Sequence, residues 1–289
     1  MKKTSIQLST SDILRIEIEL TTVCNLKCPL CIRETFPQPQ KKFRKLDEII
    51  SQLDQYTELK YLTIAGAISE PTTYPHLFEL IQYLKLRDIE ISLYINGDTH
   101  SDMYYKKLGV IFREAKGNIY FTICGSTQEI HEKYRVGSSL EKVIRRLGII
   151  KDYTGGKEVL TWIVFNYNQI DFNENRHKYE KKYHTEFFHT LPVAENFELD
   201  IDIHLPDEMS KGYKDNIDRS DYEGACPAYE YRFIEIDTSG DVYPCSLYKL
   251  FGEEKCFECS TKNAEYLRKN KIFKVAEPEN DISIAPIRL

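Results

Sequence analysis

Apolar residues occupy every second position through Leu14–Leu20 (LRIEIEL), the period of a strand with one oily and one polar face. Similar short apolar runs predict strands at Tyr61–Ile64, Ile89–Ile95, Asn118–Cys124, Val159–Asn166 and Glu186–His189. Between them, apolar residues recur at helical spacing over Tyr74–Lys85, Asp102–Ala115, Leu140–Asp152 and Glu174–Tyr183. Pro75 suits the first turn of the first of these helices. Six strands alternating with helices predict an α/β fold with a parallel sheet and helices on one side. The polar face of the first strand carries Arg15, Glu17 and Glu19. A closed eight-stranded barrel fills its interior with branched apolar side chains. Charges on the face opposite the helices therefore predict an open, partial (β/α)6 TIM-like barrel with a wet cleft; a half-exposed strand on an ordinary sheet is the alternative.

The pattern changes near Leu191. A polar, irregular stretch leads to RFIEID, then Thr238-Ser239-Gly240-Asp241, then Val242-Tyr243, which reads as a β-hairpin. Two domains are expected: the partial barrel over residues 12–205, and a small C-terminal unit of hairpin and cysteines over 206–289. Bulk properties change this picture little. Of the 289 residues, 42% are hydrophobic and 29% charged, ordinary for a globular chain. No apolar run approaches membrane-spanning length, and the first residues lack a signal-peptide core. A cytoplasmic location with no membrane partner is expected. The net charge of −6 argues against a general nucleic-acid binder.

The cysteines decide the chemistry. There are eight, and without a secretory signal they point to metal ligation rather than disulfides. Cys24, Cys28 and Cys31 form a C-x3-C-x2-C loop directly after the first strand. Three thiolates can hold three irons of a cubane and leave the fourth open to a reactant. Tetrahedral zinc is the alternative, and it would require a fourth ligand close by. Cys226, Cys245, Cys256 and Cys259 form a second group near the C-terminal end, with Gly240 at the hairpin turn between the first two. Cys124 stands alone; it alternates with Thr122 on the fourth strand, and packing is its expected role, with hydrogen-atom donation the alternative.

With these motifs in place, the chain resembles the radical S-adenosylmethionine (SAM) superfamily. The C-x3-C-x2-C spacing after the first strand is that family's hallmark. Gly66-Ala67-Ile68-Ser69-Glu70-Pro71 stands where the family carries a Gly-Gly-Glu-Pro-like turn, here with two extra residues between Gly66 and Glu70. Asn96-Gly97 matches an Asn-Gly turn closing the third strand. Thr122, and Arg135 in Tyr-Arg-Val-Gly, resemble polar contacts to the ribose and the carboxylate; Asn166 lies at the cleft end of the fifth strand. Leu30 departs from the pattern, since an aromatic residue often precedes the third cysteine.

The resemblance implies a [4Fe–4S] cluster on Cys24, Cys28 and Cys31, catalytic through that cluster, with SAM contacts from Gly66, Glu70, Asn96, Thr122, Arg135 and Asn166. The C-terminal cysteines resemble a SPASM-type domain in its shortened Twitch form, which implies one auxiliary [4Fe–4S] cluster; a zinc ribbon is the competing ligand set. The implied function is an oxidoreductase that cleaves SAM to a 5′-deoxyadenosyl radical and abstracts a hydrogen atom from a substrate C–H bond. Its electron donor would be a flavodoxin or ferredoxin. Its substrate would be a sugar- or aminoglycoside-like molecule, or a peptide. Only 23 residues precede Cys24, so no leader-binding domain is expected ahead of the barrel; this tilts the expectation to a small hydroxyl-rich substrate, or to a peptide delivered by a separate protein. The alternative class is a non-catalytic iron–sulfur or zinc protein acting as electron carrier or scaffold.

Overall fold

The computed structural model describes residues 10–29, 31, 33, 42–65, 69–188, 233–243, 274–276 and 281–283. In chain order the elements are β1 (Arg15–Ile18), α1 (Leu46–Asp54), β2 (Tyr61–Ile64), α2 (Leu77–Leu86), β3 (Glu90–Ile95), α3 (Asp102–Phe112), β4 (Gly117–Ile123), α4 (Gln128–Tyr134) and α5 (Leu140–Thr154). They continue with β5 (Glu158–Ile163), α6 (Gln169–Glu180), β6 (His184–Phe188), β7 (Phe233–Ile236), β8 (Val242–Tyr243), β9 (Lys274–Ala276) and β10 (Asp281–Ser283). The backbone divides into two compact units.

One unit comprises the described residues of 1–18, 44–63 and 215–289. In it β1 pairs in parallel with β7, from Arg15 opposite Phe233 to Ile18 opposite Ile236. The alternation holds over Arg15–Ile18: Ile16 and Ile18 are buried, Arg15 is exposed and its guanidinium lies 4.0 Å from the Tyr61 ring centre, whereas Glu19, expected on the wet polar face, is 1% exposed. β7 turns back antiparallel into β8 through the predicted hairpin. Gly240 takes φ +90° there, a conformation that costs a Cβ-bearing residue free energy. The turn is tied to α1: Gln52 Nε2 donates to Gly240 O at 2.8 Å, and Arg44 to Asp237 O at 3.4 Å. α1 escaped the pattern analysis, although Leu46, Ile49, Ile50 and Leu53 stand at helical spacing.

The other unit comprises the described residues of 19–43 and 64–214. Here β3, β4, β5 and β6 lie side by side in that order, all parallel. Helices follow the strands and bury Leu80, Ile81 and Leu84 of α2, Leu108 and Phe112 of α3, and Leu147 and Ile150 of α5. Apolar burial of this extent is the main force holding the sheet and helices together. Trp162 is core: it is 1% exposed and makes edge contacts with Phe172 and Tyr179. Helix ends are set by side chains. Thr127 accepts the Ile130 N–H at the start of α4, and Ser139 the Lys142 N–H at the start of α5.

Boundaries moved where turns intervene. A short 3-10 turn at Pro71–Thr73 occupies the approach to α2, so Pro75 lies just ahead of that helix rather than in its first turn. A second, Asn166–Asn168, follows β5 and starts α6 five residues before the expected position. α4 is short and polar, without an apolar stripe to read.

Candidate functional site

The cysteine loop follows β1, and three turns from the ends of β-strands and a helix converge on it. Cys24, Cys28 and Cys31 are half-buried. Local hydrogen bonds shape the loop. The Leu26 N–H points at Cys24 Sγ at 3.4 Å, Cys31 N–H donates to Cys28 O at 3.1 Å, and Arg33 donates to Cys24 O at 3.0 Å and also to Leu26 O. Two neighbouring turns anchor it from outside. Glu70 N–H donates to Val23 O at 2.9 Å, and Lys27 N–H to Val136 O at 3.1 Å.

Glu70 is a buried latch. Its Oε1 accepts from Thr72 N–H at 3.1 Å and from the Thr72 hydroxyl at 2.5 Å; its Oε2 accepts from Asn96 N–H at 2.7 Å. The carboxylate thus ties the turn after β2 to the turn after β3. Burial nevertheless pushes its pKa above the ordinary carboxylate value against those hydrogen bonds. Asn96, 4% exposed, directs Nδ2 to Asn25 Oδ1 at 2.7 Å, with Cys24 Sγ 3.9 Å away. Gly97 takes φ +75°, and a Cβ there would lie 2.7 Å from Phe121 Cδ1; glycine lets this turn sit on the sheet.

Arg135, at the end of α4, is the positive charge of the site. Burial works against its charge, but the sulfurs of Cys28, Cys124 and Cys24 and the Glu70 carboxylate outweigh it and hold the guanidinium above its ordinary pKa. Burial raises the Cys24 and Cys28 thiols, and Arg135 pulls both down. Two buried polar atoms at this end of the sheet, Arg135 Nε and Ser69 Oγ, have no hydrogen-bond partner among the described residues. Such orphaned donors imply a ligand with acceptor groups.

The remaining expected residues sit nearby with other partners. Thr122 accepts a hydrogen bond from the Thr161 hydroxyl at 2.8 Å. Asn166 accepts from Gln169 Nε2 at 2.5 Å. Cys124 is fully buried against Phe165, flanked by Tyr134 and Tyr167, and burial pushes its thiol up to about 12. His131 is buried behind it; its Nδ1 accepts the Cys124 N–H at 3.2 Å and its Nε2 faces the Ser138 hydroxyl at 3.0 Å. Burial drives the His131 pKa down to about 3, so this imidazole is a neutral brace. Gly66, Cys226, Cys245, Cys256 and Cys259 lie outside the described residues.

The structure brings together the cysteine loop, Glu70, Asn96 and Arg135, and adds Asn25, Thr72 and Asp98, which no sequence motif marked. Asn25 stands between the first two cysteines, a position that was the available signal.

Among the described residues, no three His, Cys, Asp or Glu side chains converge on a single metal ion. Three thiols on one loop, a guanidinium among them and two orphaned polar atoms beside them fit a thiolate-held iron–sulfur cluster with a carboxylate-bearing ligand.

Comparison with known proteins gives the family. The family model of the Radical SAM superfamily matches residues 18–177, more than half of the chain, and the chain belongs to that superfamily of enzymes. The cofactors of the family are a [4Fe–4S] cluster and SAM. A 93-residue stretch is 26% identical to the tungsten-containing aldehyde ferredoxin oxidoreductase cofactor-modifying protein of Pyrococcus furiosus, covering 32% of this chain and 26% of that protein. Among solved structures, SuiB of Streptococcus suis is similar with a TM-score of 0.62 and 16% identity, over 82% of this chain and 61% of SuiB. The anSMEcpe structure with bound AdoMet is similar with a TM-score of 0.61 and 18% identity, over 91% of this chain and 84% of that one. Both have also been solved with peptides, SuiB with its precursor peptide SuiA and anSMEcpe with Cp18Cys. This chain thus spans about a quarter of the Pyrococcus protein and three fifths of SuiB. The likeness shows the fold: an open, parallel α/β partial barrel, as the strand–helix alternation predicts. No helix among the described residues is long and apolar enough to cross a membrane.

Proposed function

We propose that this chain is a radical SAM oxidoreductase in which Cys24, Cys28 and Cys31 hold the SAM-binding [4Fe–4S] cluster. The observation that carries this reading is the convergence of Arg135, Glu70 and Asn96 on the three-cysteine loop. Bound there, cluster and SAM supply on one-electron reduction a 5′-deoxyadenosyl radical that takes a hydrogen atom from a substrate C–H bond.

The chain's own residues hold and orient. Burial favours neutral thiols at Cys24 and Cys28, so ligation must displace their protons, and Arg135 offsets the negative charge that results. The free Arg135 Nε is suited to the SAM carboxylate. Glu70 holds two turns in register, and Gly66 with the Ser69 hydroxyl supports the amino-group end of the ligand. Thr122 and Asn166 contact the nucleoside in this reading, and Asn96, whose amide is held by Asp98 and Asn25, stands at the cluster end of the ligand.

Residues 12–205 form the radical domain in this reading, and residues 206–289 a Twitch-like domain whose Cys226, Cys245, Cys256 and Cys259 hold one auxiliary [4Fe–4S] cluster. The substrate is a sugar- or aminoglycoside-like molecule, or a peptide of the kind that SuiB and anSMEcpe bind. The reductant is a flavodoxin- or ferredoxin-class donor. The compartment in this reading is the reducing cytoplasm, where thiolate ligation is favoured over disulfides.

Anaerobically reconstituted protein, reduced and given SAM, should form 5′-deoxyadenosine and methionine in equal amounts. Chromatography with mass detection reads both products. A protein that carries its clusters yet forms neither would be an electron carrier or scaffold instead.

A further inference from the structure

The Asn96–Asp98 turn is held from behind by a residue remote from the cysteine loop. Arg146 lies on α5 and is 5% exposed. Nη1 donates to Gly97 O at 2.8 Å and to Asp98 Oδ1 at 3.1 Å, Nη2 donates to His100 O, and Nε lies 3.5 Å from Asp102 Oδ1. The Tyr105 ring centre lies 4.9 Å from the guanidinium carbon. Asp98, whose side chain is 4% exposed, also accepts the Ser139 N–H at 2.8 Å, with Lys142 Nζ 3.6 Å away. A buried ion pair with these partners is weak evidence for stability, because desolvation offsets most of its Coulombic gain. It does fix geometry.

What it fixes is a ring of amides. Asp98 N–H donates to Asn96 Oδ1 at 2.8 Å, which settles the orientation of that side-chain amide. Asn96 Nδ2 then faces Asn25 Oδ1 at 2.7 Å and Cys24 Sγ at 3.9 Å. Asn25 Nδ2 closes the ring on Asp98 O at 3.2 Å. The two amides therefore cannot rotate independently, and one N–H is left aimed at the sulfur.

We infer that Arg146 is a positioning residue: through Asp98 it aims the Asn96–Asn25 amide pair at Cys24, so that Asn96 donates to that sulfur when it is a cluster ligand. The inference rests on the reading of Cys24 as a ligand. An N–H donor at a ligand sulfur favours the more negative, reduced cluster and so raises its potential.

The test is a redox titration of the full, reconstituted chain, followed by the paramagnetic signal that changes when SAM is added. Asn96→Ala shifts the midpoint of that signal to more negative potential. Arg146→Gln shifts it in the same direction, and Arg146→Gln combined with Asn96→Ala shifts it no further than Asn96→Ala alone. Residues that act through one contact are non-additive in this way. Iron content and circular dichroism serve as folding controls. Asn25→Ala opens the ring without touching the buried ion pair, and its own negative shift stands in if Arg146→Gln does not fold. Wild-type midpoints in folded, iron-replete Arg146→Gln or Asn25→Ala protein overturn the inference, as do additive shifts. A wild-type protein with no SAM-responsive signal overturns the underlying ligand reading as well, which separates the two failures.

Discussion

Cys28→Ala should abolish SAM cleavage, with 5′-deoxyadenosine falling on the order of 10³-fold or more, to background. Cys28 lies between the other two loop thiols, beside Arg135, the guanidinium that balances their charge. Two thiols on a loop do not hold a cubane that keeps one open iron. The loss should be local. The hydrogen bonds that anchor the loop, Glu70 N–H to Val23 O and Lys27 N–H to Val136 O, involve no cysteine side chain. Thermal unfolding and circular dichroism of the variant should therefore stay close to wild type apart from the contribution of the lost cluster, while roughly half of the iron disappears. Wild-type rates of 5′-deoxyadenosine formation in Cys28→Ala would falsify the ligand assignment.

The second large effect is expected at the other cysteine group. Wild-type protein should carry roughly eight irons per chain, the content of two cubanes. Cys256→Ala/Cys259→Ala should carry about four and still cleave SAM, because Cys24, Cys28 and Cys31 are untouched. Product should nonetheless nearly vanish. After hydrogen-atom loss the substrate radical must still give up one electron and one proton to become the oxidised product. In this reading the auxiliary cluster takes the electron. Without it, 5′-deoxyadenosine should accumulate with little oxidised substrate. A folded variant that keeps the normal ratio of product to 5′-deoxyadenosine would leave the C-terminal site a structural role only. Four irons plus zinc in the wild-type protein would instead favour a zinc ribbon. Cluster ligation contributes to folding of small domains, so the comparison requires circular dichroism of the variant.

The first strand was legible because a half-buried strand must alternate. Ile16 and Ile18 of β1 are buried between exposed Arg15 and half-exposed Glu17, which is the pattern LRIEIEL displays. The hairpin was legible for a different reason: Gly240 sits where φ must be positive. The cysteine loop stood out by its spacing together with the matches around Gly66, Glu70, Asn96 and Arg135. α4 was not legible, because its seven residues, QEIHEKY, carry no apolar stripe and its start depends on the Thr127 cap.

The supporting shell of the site was the least legible part. Glu70 is expected as a ligand contact, and its oxygens also accept from Thr72 and Asn96, residues 2 and 26 positions away in the chain, a bracing role that no motif displays. Arg146 stands in an Arg-Arg pair on an amphipathic helix, and a pair of arginines reads as a solvated face. Arg145 does sit on the surface with Asp102 and Glu141, whereas Arg146 turns inward to Asp98. One-dimensional periodicity cannot distinguish those two, because the acceptors that draw Arg146 inward belong to a turn about 48 residues earlier.

The central claim is that the Cys24–Cys28–Cys31 loop leaves one iron open to SAM. The most direct measurement is the hyperfine coupling of the reduced, SAM-responsive cluster to SAM labelled with nitrogen-15 in its amino group and oxygen-17 in its carboxylate. Direct ligation of the open iron predicts resolved coupling to both labels in the wild-type protein and in Cys256→Ala/Cys259→Ala. Reduced protein with a full cluster, saturated with labelled SAM and showing no coupling to either nucleus, would contradict it.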